Sequence, residues 1–185
     1  ISFGLGEPDF QPPNVAIEAF YQAMKDGHNK YTTTAGLPAL RQQIAESWSA
    51  YQDGLSSDNV CITMSGTNAI LNLFLTLVNP GDNVLIPEPY FPLYGPDAKL
   101  CGGDAKYYPC RFEDEFVPKV ESLEQLIDEN TVAILYNFPS NPTGGTLNLE
   151  QRDALLEFAK KHDLWIITDE VYDRIVFEGE HVSFM

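Results

Sequence analysis

The stretch Leu164-Trp165-Ile166-Ile167-Thr168-Asp169-Glu170-Val171-Tyr172 decides the fold. Its first four residues form a short apolar run, which is typical of a strand buried in a parallel sheet. Asp169 and Tyr172 then place a carboxylate and a phenol at the carboxyl end of that strand. In an open α/β sheet this end is where ligands bind. We therefore predict that Asp169 and Tyr172 belong to a binding site.

The same arrangement, a strand followed by polar residues, occurs twice upstream. A predicted strand at 132–136 precedes Asn141-Pro142-Thr143-Gly144, and one at 60–64 precedes Ser65-Gly66-Thr67-Asn68. Because the carboxyl ends of parallel strands meet at one edge of a sheet, we expect the three polar clusters to form one site.

Strands and helices alternate along most of the chain, and this alternation predicts a parallel sheet with crossover helices. The fold class is therefore expected to be α/β, with a doubly wound, mostly parallel sheet. We expect residues 1–30 to form an N-terminal arm and helix, and residues 31–185 a large ligand-binding domain. The predicted strands are 60–64, 84–86, 106–108, 131–136 and 164–167, and the predicted helices are 15–26, 38–54, 69–78, 120–128 and 149–162.

The composition excludes several classes of partner. The 185 residues include 27 acidic and 11 basic side chains, for a net charge of −16 without any Lys/Arg cluster. Nucleic acid and anionic membranes are therefore not expected as partners. The cysteines Cys61, Cys101 and Cys110 lack metal-ligand spacing, no leader pattern opens the chain, and no apolar run approaches the roughly 20 residues of a membrane span. We expect a cytoplasmic protein without a metal.

Ser65-Gly66-Thr67 is a candidate seat for a phosphate group. It opens a predicted helix directly after a predicted strand, and the first N–H groups of a helix bind anions. An ordinary serine N-cap is the alternative explanation of the same residues. Neither G-x-G-x-x-G nor G-x-x-x-x-G-K-[ST] occurs, which argues against a nucleotide-binding Rossmann domain or a nucleoside triphosphate site.

In order and in residue type, these clusters resemble the fold type I pyridoxal-phosphate enzymes, specifically the class I and II aminotransferases. The resemblance covers essentially the whole chain, including the proline-rich aromatic stretch Pro87-Glu88-Pro89-Tyr90-Phe91-Pro92-Leu93-Tyr94. It implies an incomplete large domain of that fold and pyridoxal 5'-phosphate as cofactor. It also implies transfer of an amino group from an L-amino acid to a 2-oxo acid.

The resemblance assigns a role to each candidate of the sheet edge. Ser65, Gly66 and Thr67 would hold the phosphate, and Phe91 would stack on the pyridine ring. Asn141 and Tyr172 would donate to the phenolate oxygen of the cofactor. Asp169 would keep the pyridine nitrogen protonated. Each residue also has a purely structural alternative: a helix cap, core packing, a turn or the solvated end of a strand.

Two further matches lie near the amino terminus. Gly6 resembles the family's glycine next to the substrate carboxylate, and Tyr31 resembles the tyrosine that reaches the cofactor phosphate of the other subunit. A homodimer would then be required for a complete site. A turn at Gly6 and a packed ring at Tyr31 are the alternatives.

The family's catalytic lysine, which bonds pyridoxal phosphate as a Schiff base, has no match in the chain and is expected beyond Met185. We therefore expect a cofactor cradle that does not turn over alone. Three other functions remain open: a non-catalytic cofactor-binding or dimerisation fragment, a C–S lyase, and a cyclopropane-forming synthase of the same fold.

Overall fold

The computed structural model describes residues 6–7 and 10–185, and these residues form an α/β fold. Strands and helices alternate from residue 66 onward, as the sequence pattern predicts. In chain order the elements are α1 (Asn14–Lys25), α2 (Pro38–Trp48), α3 (Gly66–Leu77), β1 (Asn83–Glu88), α4 (Tyr94–Leu100), β2 (Asp104–Pro109), α5 (Val120–Glu124), β3 (Thr131–Asn137), α6 (Leu149–Lys161) and β4 (Trp165–Asp169).

The four strands form one parallel sheet in the order β2-β1-β3-β4. Leu85 of β1 lies opposite both Lys106 of β2 and Ile134 of β3. The chain winds outward from β1 to β2, then crosses back to β3 and continues to β4. The winding direction therefore reverses between β1 and β3, which is the place where such sheets bind ligands. The predicted parallel α/β fold is confirmed.

Alternate residues of the central strands are buried on opposite faces, which explains their unbroken apolar sequence. Val84 and Ile86 pack beneath α3 and α4 with Phe74, in what we call the α3/α4 layer. Leu85 faces the other way and packs with Phe158, in what we call the α5/α6 layer. The sheet is therefore covered by apolar residues on both faces.

The predicted strand at 60–64 is wrong, because a strand needs a partner. Val60 has extended backbone angles, φ −117° and ψ 129°. Its neighbour Ile62 donates its N–H to the carbonyl of Ala35 at 2.9 Å. Within the described part of the chain, however, no strand pairs with this segment. The segment is extended without belonging to the sheet.

Two helices end earlier than predicted. Helix α2 stops at Trp48 instead of residue 54, and turns follow up to Gly54, whose φ of +81° suits glycine. Helix α5 stops at Glu124 instead of residue 128. There the Asp128 carboxylate accepts the Asn130 N–H at 3.0 Å, a side-chain turn that competes with a helix.

Smaller differences concern the ends of elements. Helix α1 begins at Asn14, one residue before the predicted start, and Pro13 precedes it. In α6 the first residue, Leu149, is 62% exposed, whereas Phe158 is buried. Strand β4 continues through Asp169, so this carboxylate is the last residue of the strand.

The segment before α3 contributes little to the core. Helix α1 contains no buried residue, and α2 contains only Ala45. The division into an arm at 1–30 and a domain at 31–185 stays a prediction. No helix in the described ranges is both long and apolar enough to cross a membrane.

Candidate functional site

A cavity of about 220 Å³ lies where β3 and β4 end. Residues from α3, from the Phe91 loop and from the ends of both strands surround it. The structure thus brings together residues from all the polar clusters that the sequence singled out. The lining residues are Gly66, Thr67, Phe91, Tyr94, Asn137, Asn141, Asp169, Val171 and Tyr172.

The first turn of α3 provides the anion-binding part of this cavity. Gly66 and Thr67 line it, and the N–H groups of a first helical turn have no partner within the helix. A Cβ atom at Gly66 would meet no atom within 4 Å, so the space above this turn is open. Ser65 is not among the lining residues, since its Oγ accepts the Asn68 N–H at 3.2 Å as an N-cap.

Asp169 is held in a fixed orientation by two donors. Tyr94 Oη donates to Asp169 Oδ2 at 2.7 Å, and the Val171 N–H donates to Oδ1 at 3.2 Å. Burial, followed by the nearby Asp169 charge, raises the pKa of Tyr94 well above its ordinary value. Tyr94 therefore remains a neutral donor that directs the carboxylate at the edge of the cavity.

Sequence reasoning did not assign Tyr94 to the site. Its signal was weak, because Tyr94 is one of three rings in the stretch that begins at Pro87. The structure places its ring edge-on to Phe91, with centroids 5.5 Å apart. Phe91 itself lines the cavity and provides an aromatic wall.

Asn141 and Tyr172 meet at the cavity, although 31 residues separate them. Asn141 Nδ2 lies 3.3 Å from Tyr172 Oη and donates to it. Tyr172 Oη keeps its own proton for a further acceptor. This pair therefore offers polar hydrogens to a ligand in the cavity.

Asn137, which sequence reasoning also missed, connects these groups. Its Oδ1 accepts the Asn141 N–H at 2.7 Å, and its Nδ2 donates to the Asp169 carbonyl at 2.9 Å. The residue is only 3% exposed. The available signal was a polar side chain at the end of an otherwise apolar strand. Asn137 fixes the spacing between the two strand ends that carry the site.

A second cavity of about 480 Å³ adjoins the first. Asn141 and Tyr172 line both cavities and so form the boundary between them. The lining of the larger cavity includes three consecutive apolar residues, Ile175, Val176 and Phe177, followed by Glu178. Among the residues that the structure describes, no lysine lines either cavity.

Gly6 and Tyr31 do not join this site within the chain. Gly6 is exposed, and a Cβ atom there would meet no atom within 4 Å. The Tyr31 side chain is fully exposed. The roles expected for these two residues stay predictions. In the described ranges no three His, Cys, Asp or Glu side chains are grouped as metal ligands.

Comparisons with known proteins identify relatives of this chain. The aspartate aminotransferase of Geobacillus stearothermophilus is 38% identical over 186 residues, which cover 99% of this chain and 47% of that protein. The aspartate/prephenate aminotransferase of Thermus thermophilus is 35% identical over 185 residues, covering 99% and 48%. The chain thus spans about half the length of the curated relatives it matches.

Solved structures of aminotransferases also superpose on this chain. The aromatic aminotransferase from Pyrococcus horikoshii superposes with a TM-score of 0.94 at 33% identity, covering all of this chain and 50% of that one. The Thermus thermophilus aspartate aminotransferase with maleate gives a TM-score of 0.93 at 34% identity, covering 97% and 47%. The family model described as aminotransferase class I and II matches residues 1–185. The chain belongs to the class I and II aminotransferases, a pyridoxal-phosphate-dependent family.

Proposed function

We propose that the protein containing this chain is a pyridoxal-phosphate-dependent aminotransferase that moves an amino group from an L-amino acid to a 2-oxo acid. The observation that carries the proposal is the single cavity shared by the first turn of α3 and by Asp169 with its Tyr94 donor. Family membership and the named activities of the relatives support it.

The donors and acceptors around the cavity fit pyridoxal phosphate. The N–H groups of Gly66 and Thr67 suit its phosphate, and Phe91 suits its flat ring. When bound, the cofactor supplies an electron sink for negative charge at the α-carbon of the substrate. Asp169 holds a proton at the pyridine nitrogen, which strengthens that sink, and Tyr94 keeps its carboxylate in place.

Asn141 and Tyr172 would stabilise negative charge on the phenolate oxygen of the cofactor. The 3.3 Å between Asn141 Nδ2 and Tyr172 Oη places two donors side by side, and donors to an anion lower its basicity. Asn137 is hydrogen-bonded to both Asn141 and Asp169. It therefore fixes the distance between the residue proposed to contact the phenolate oxygen and the residue proposed to contact the pyridine nitrogen. The chain's own residues thus bind, orient and polarise the cofactor.

Proton transfer at the α-carbon is assigned to a lysine outside this chain, because none of the described lysines lines either cavity. The 185 residues by themselves are therefore proposed to bind the cofactor without turnover. The named activities of the relatives, of which this chain spans about half, favour transamination by the full-length protein.

We further propose a cytoplasmic homodimer. The fully exposed Tyr31 side chain supports a contact with the cofactor phosphate of a second subunit. Gly6, with open space around it, supports a close approach by the substrate carboxylate. The apolar wall formed by Ile175, Val176 and Phe177 supports L-amino acids and 2-oxo acids with apolar parts among the substrates.

The test compares Asp169→Asn with Asp163→Asn in the full-length protein. Both substitutions remove one carboxylate from the vicinity of β4, but Asp163 is exposed and lies before the strand, with a φ of 52° that asparagine accepts. With a ¹⁵N-labelled amino donor and a panel of 2-oxo acids, Asp169→Asn should lower transfer of the label by about a hundredfold or more. Asp163→Asn should retain it.

The same assay distinguishes the other functions of this fold. A 2-oxo product formed without label in any acceptor would contradict transamination and favour an eliminating lyase. Equal rates of label transfer in Asp169→Asn and Asp163→Asn would contradict the role proposed for Asp169.

A further inference from the structure

Glu170, the residue after Asp169, is the centre of a buried group of hydrogen bonds that the proposed function does not use. Glu170 follows the last residue of β4, and its carboxylate contacts Phe184, which packs on the α5/α6 layer, whereas Asp169 lines the cavity. Four residues contact the Glu170 carboxylate, and we call the group the Glu170 clamp. Its other members are Thr168, His181, Ser183 and Phe184.

Each oxygen of the carboxylate is occupied. Oε1 accepts the Thr168 hydroxyl at 3.0 Å, the Ser183 hydroxyl at 3.2 Å and the Phe184 N–H at 3.1 Å. Oε2 lies 2.6 Å from His181 Nε2. The Glu170 and His181 side chains are only 7% and 9% exposed. Only a carboxylate offers acceptors at both positions, so the site specifies an acid.

Two members of the clamp, Ser183 and Phe184, have one further anchor each. The Phe184 ring stacks on Tyr136 of β3, with centroids 4.7 Å apart and planes within 8°. Arg152 Nη1 donates to the Ser183 carbonyl at 2.8 Å. The far end of the clamp is therefore fixed to both β3 and α6.

The clamp closes the loop 171–180 at its two ends. This loop carries Tyr172, which meets Asn141 at the boundary of the two cavities, and Ile175 and Phe177, which line the larger one. Inside the loop, the N–H of Ile175 donates to the Tyr172 carbonyl at 2.8 Å. The Asp173 N–H also donates to the Glu170 carbonyl at 2.9 Å, so a shift of Glu170 would be passed to Tyr172 through a short, hydrogen-bonded turn.

We propose that Glu170 is a positioning residue that sets the place of Tyr172 against the cofactor's phenolate oxygen by holding His181, Ser183 and Phe184 to the end of β4. This inference rests on the proposed function. Glu170 touches neither cavity, so its effect passes through the loop.

The experiment measures two properties of the full-length protein. The first is the dissociation constant for pyridoxal phosphate added back to cofactor-free protein. The second is the pH midpoint at which the visible absorbance of the bound cofactor changes. Glu170→Gln replaces one of the two acceptor oxygens by an amide N–H₂, which would face either His181 or the three donors at Oε1, and should weaken cofactor binding about tenfold. It should raise the midpoint by about one pH unit, because a phenolate that loses a donor becomes more basic.

Glu180→Gln is the matched control, because Glu180 is exposed and lies one residue before His181. It should change neither property. His181→Ala removes one donor and should shift both properties less than Glu170→Gln, and His181→Gln, which restores a donor, should partly reverse the shift. These variants decide the question if Glu170→Gln does not fold.

A lowered melting temperature with an unchanged midpoint, in Glu170→Gln or in His181→Ala, would overturn the inference, because the clamp would then serve stability alone. If the unaltered protein does not bind pyridoxal phosphate, the proposed function fails and the inference fails with it.

Discussion

Each of the two layers of the core buries tyrosines, but they use the hydroxyl groups differently. In the α3/α4 layer, Tyr94 donates to the Asp169 carboxylate at 2.7 Å. In the α5/α6 layer, Tyr108 donates to the Leu135 carbonyl at 2.7 Å and Tyr136 to the Leu155 carbonyl at 3.2 Å. Burial raises the pKa of all three phenols. A perturbed pKa therefore does not mark the site, whereas the identity of the acceptor does.

The two layers also differ in whether they border a cavity at the carboxyl ends of the strands. The α3/α4 layer ends in side chains that face a cavity, so its polar groups remain accessible to a ligand. The α5/α6 layer is closed at the same end by Phe184, which the Glu170 clamp holds on Tyr136. One face of the sheet therefore carries the candidate site, and the other is closed by packed side chains.

The largest effect is expected from removing one buried aromatic ring from either layer. Phe74→Ala and Phe158→Ala each remove a buried ring and should lower the free energy of unfolding by about 3–5 kcal/mol, measured by urea denaturation. Phe112→Ala is the control, since that ring is 77% exposed, and it should change the value by less than about 0.5 kcal/mol. If only one of the two buried substitutions lowered the free energy of unfolding by this amount, the two layers would not contribute equally to stability.

A smaller and more specific effect separates the tyrosines. Tyr94→Phe should lower kcat/KM of the full-length protein about tenfold, because a hydrogen bond to a charged group contributes about 1.5–3 kcal/mol. Its unfolding free energy should fall as well, because the same buried hydrogen bond is lost from the folded state. Tyr108→Phe should lower stability by about 1 kcal/mol and leave kcat/KM unchanged. Equal kinetic losses in the two variants would contradict the distinction between the layers.

The smallest effect concerns the opposite end of the sheet, where Asp128 contacts Lys106 and Asn83. Chiefly Lys106, and then Asn83, hold the pKa of Asp128 well below its usual range. A lowered pKa stabilises the fold above the unfolded value of about 4, and the contribution is lost as the pH falls below it. The stability difference between the unaltered protein and Asp128→Asn should therefore shrink from pH 6 to pH 3.

For that measurement Asp58→Asn is the control, because the Asp58 side chain is 94% exposed. It should show no comparable loss of the difference between pH 6 and pH 3. If the stability difference between the unaltered protein and Asp128→Asn did not depend on pH, the charge of the Asp128 carboxylate would not contribute to stability.

The sequence predicted all four strands of the described sheet, and the apolar runs of the two central strands, β1 and β3, record burial on two faces. It failed at 60–64, where the residues favour an extended chain but no described strand lies alongside. Pairing depends on a distant partner, which a local pattern does not contain. The same reason explains why helix ends were less accurate than helix positions.

For the site, residue types at strand ends located Asp169, Asn141 and Gly66, which do line one cavity. Tyr94 and Asn137 were missed because their roles depend on partners 75 and 32 residues away. Ser65 was placed at the correct turn, but its hydroxyl caps the helix in this structure. Such choices between two acceptable partners are decided by three-dimensional packing.

The sheet order has one more consequence, which concerns solubility. Strand β4 is at one end of the sheet, and in the described part of the chain only β3 pairs with it. An unpaired strand edge is a template for strand addition, and Trp165 adds an exposed ring at its start. Unless another strand covers this edge, copies of the chain will tend to join there and aggregate. A strand supplied by the rest of the protein would then act as protection as well as structure.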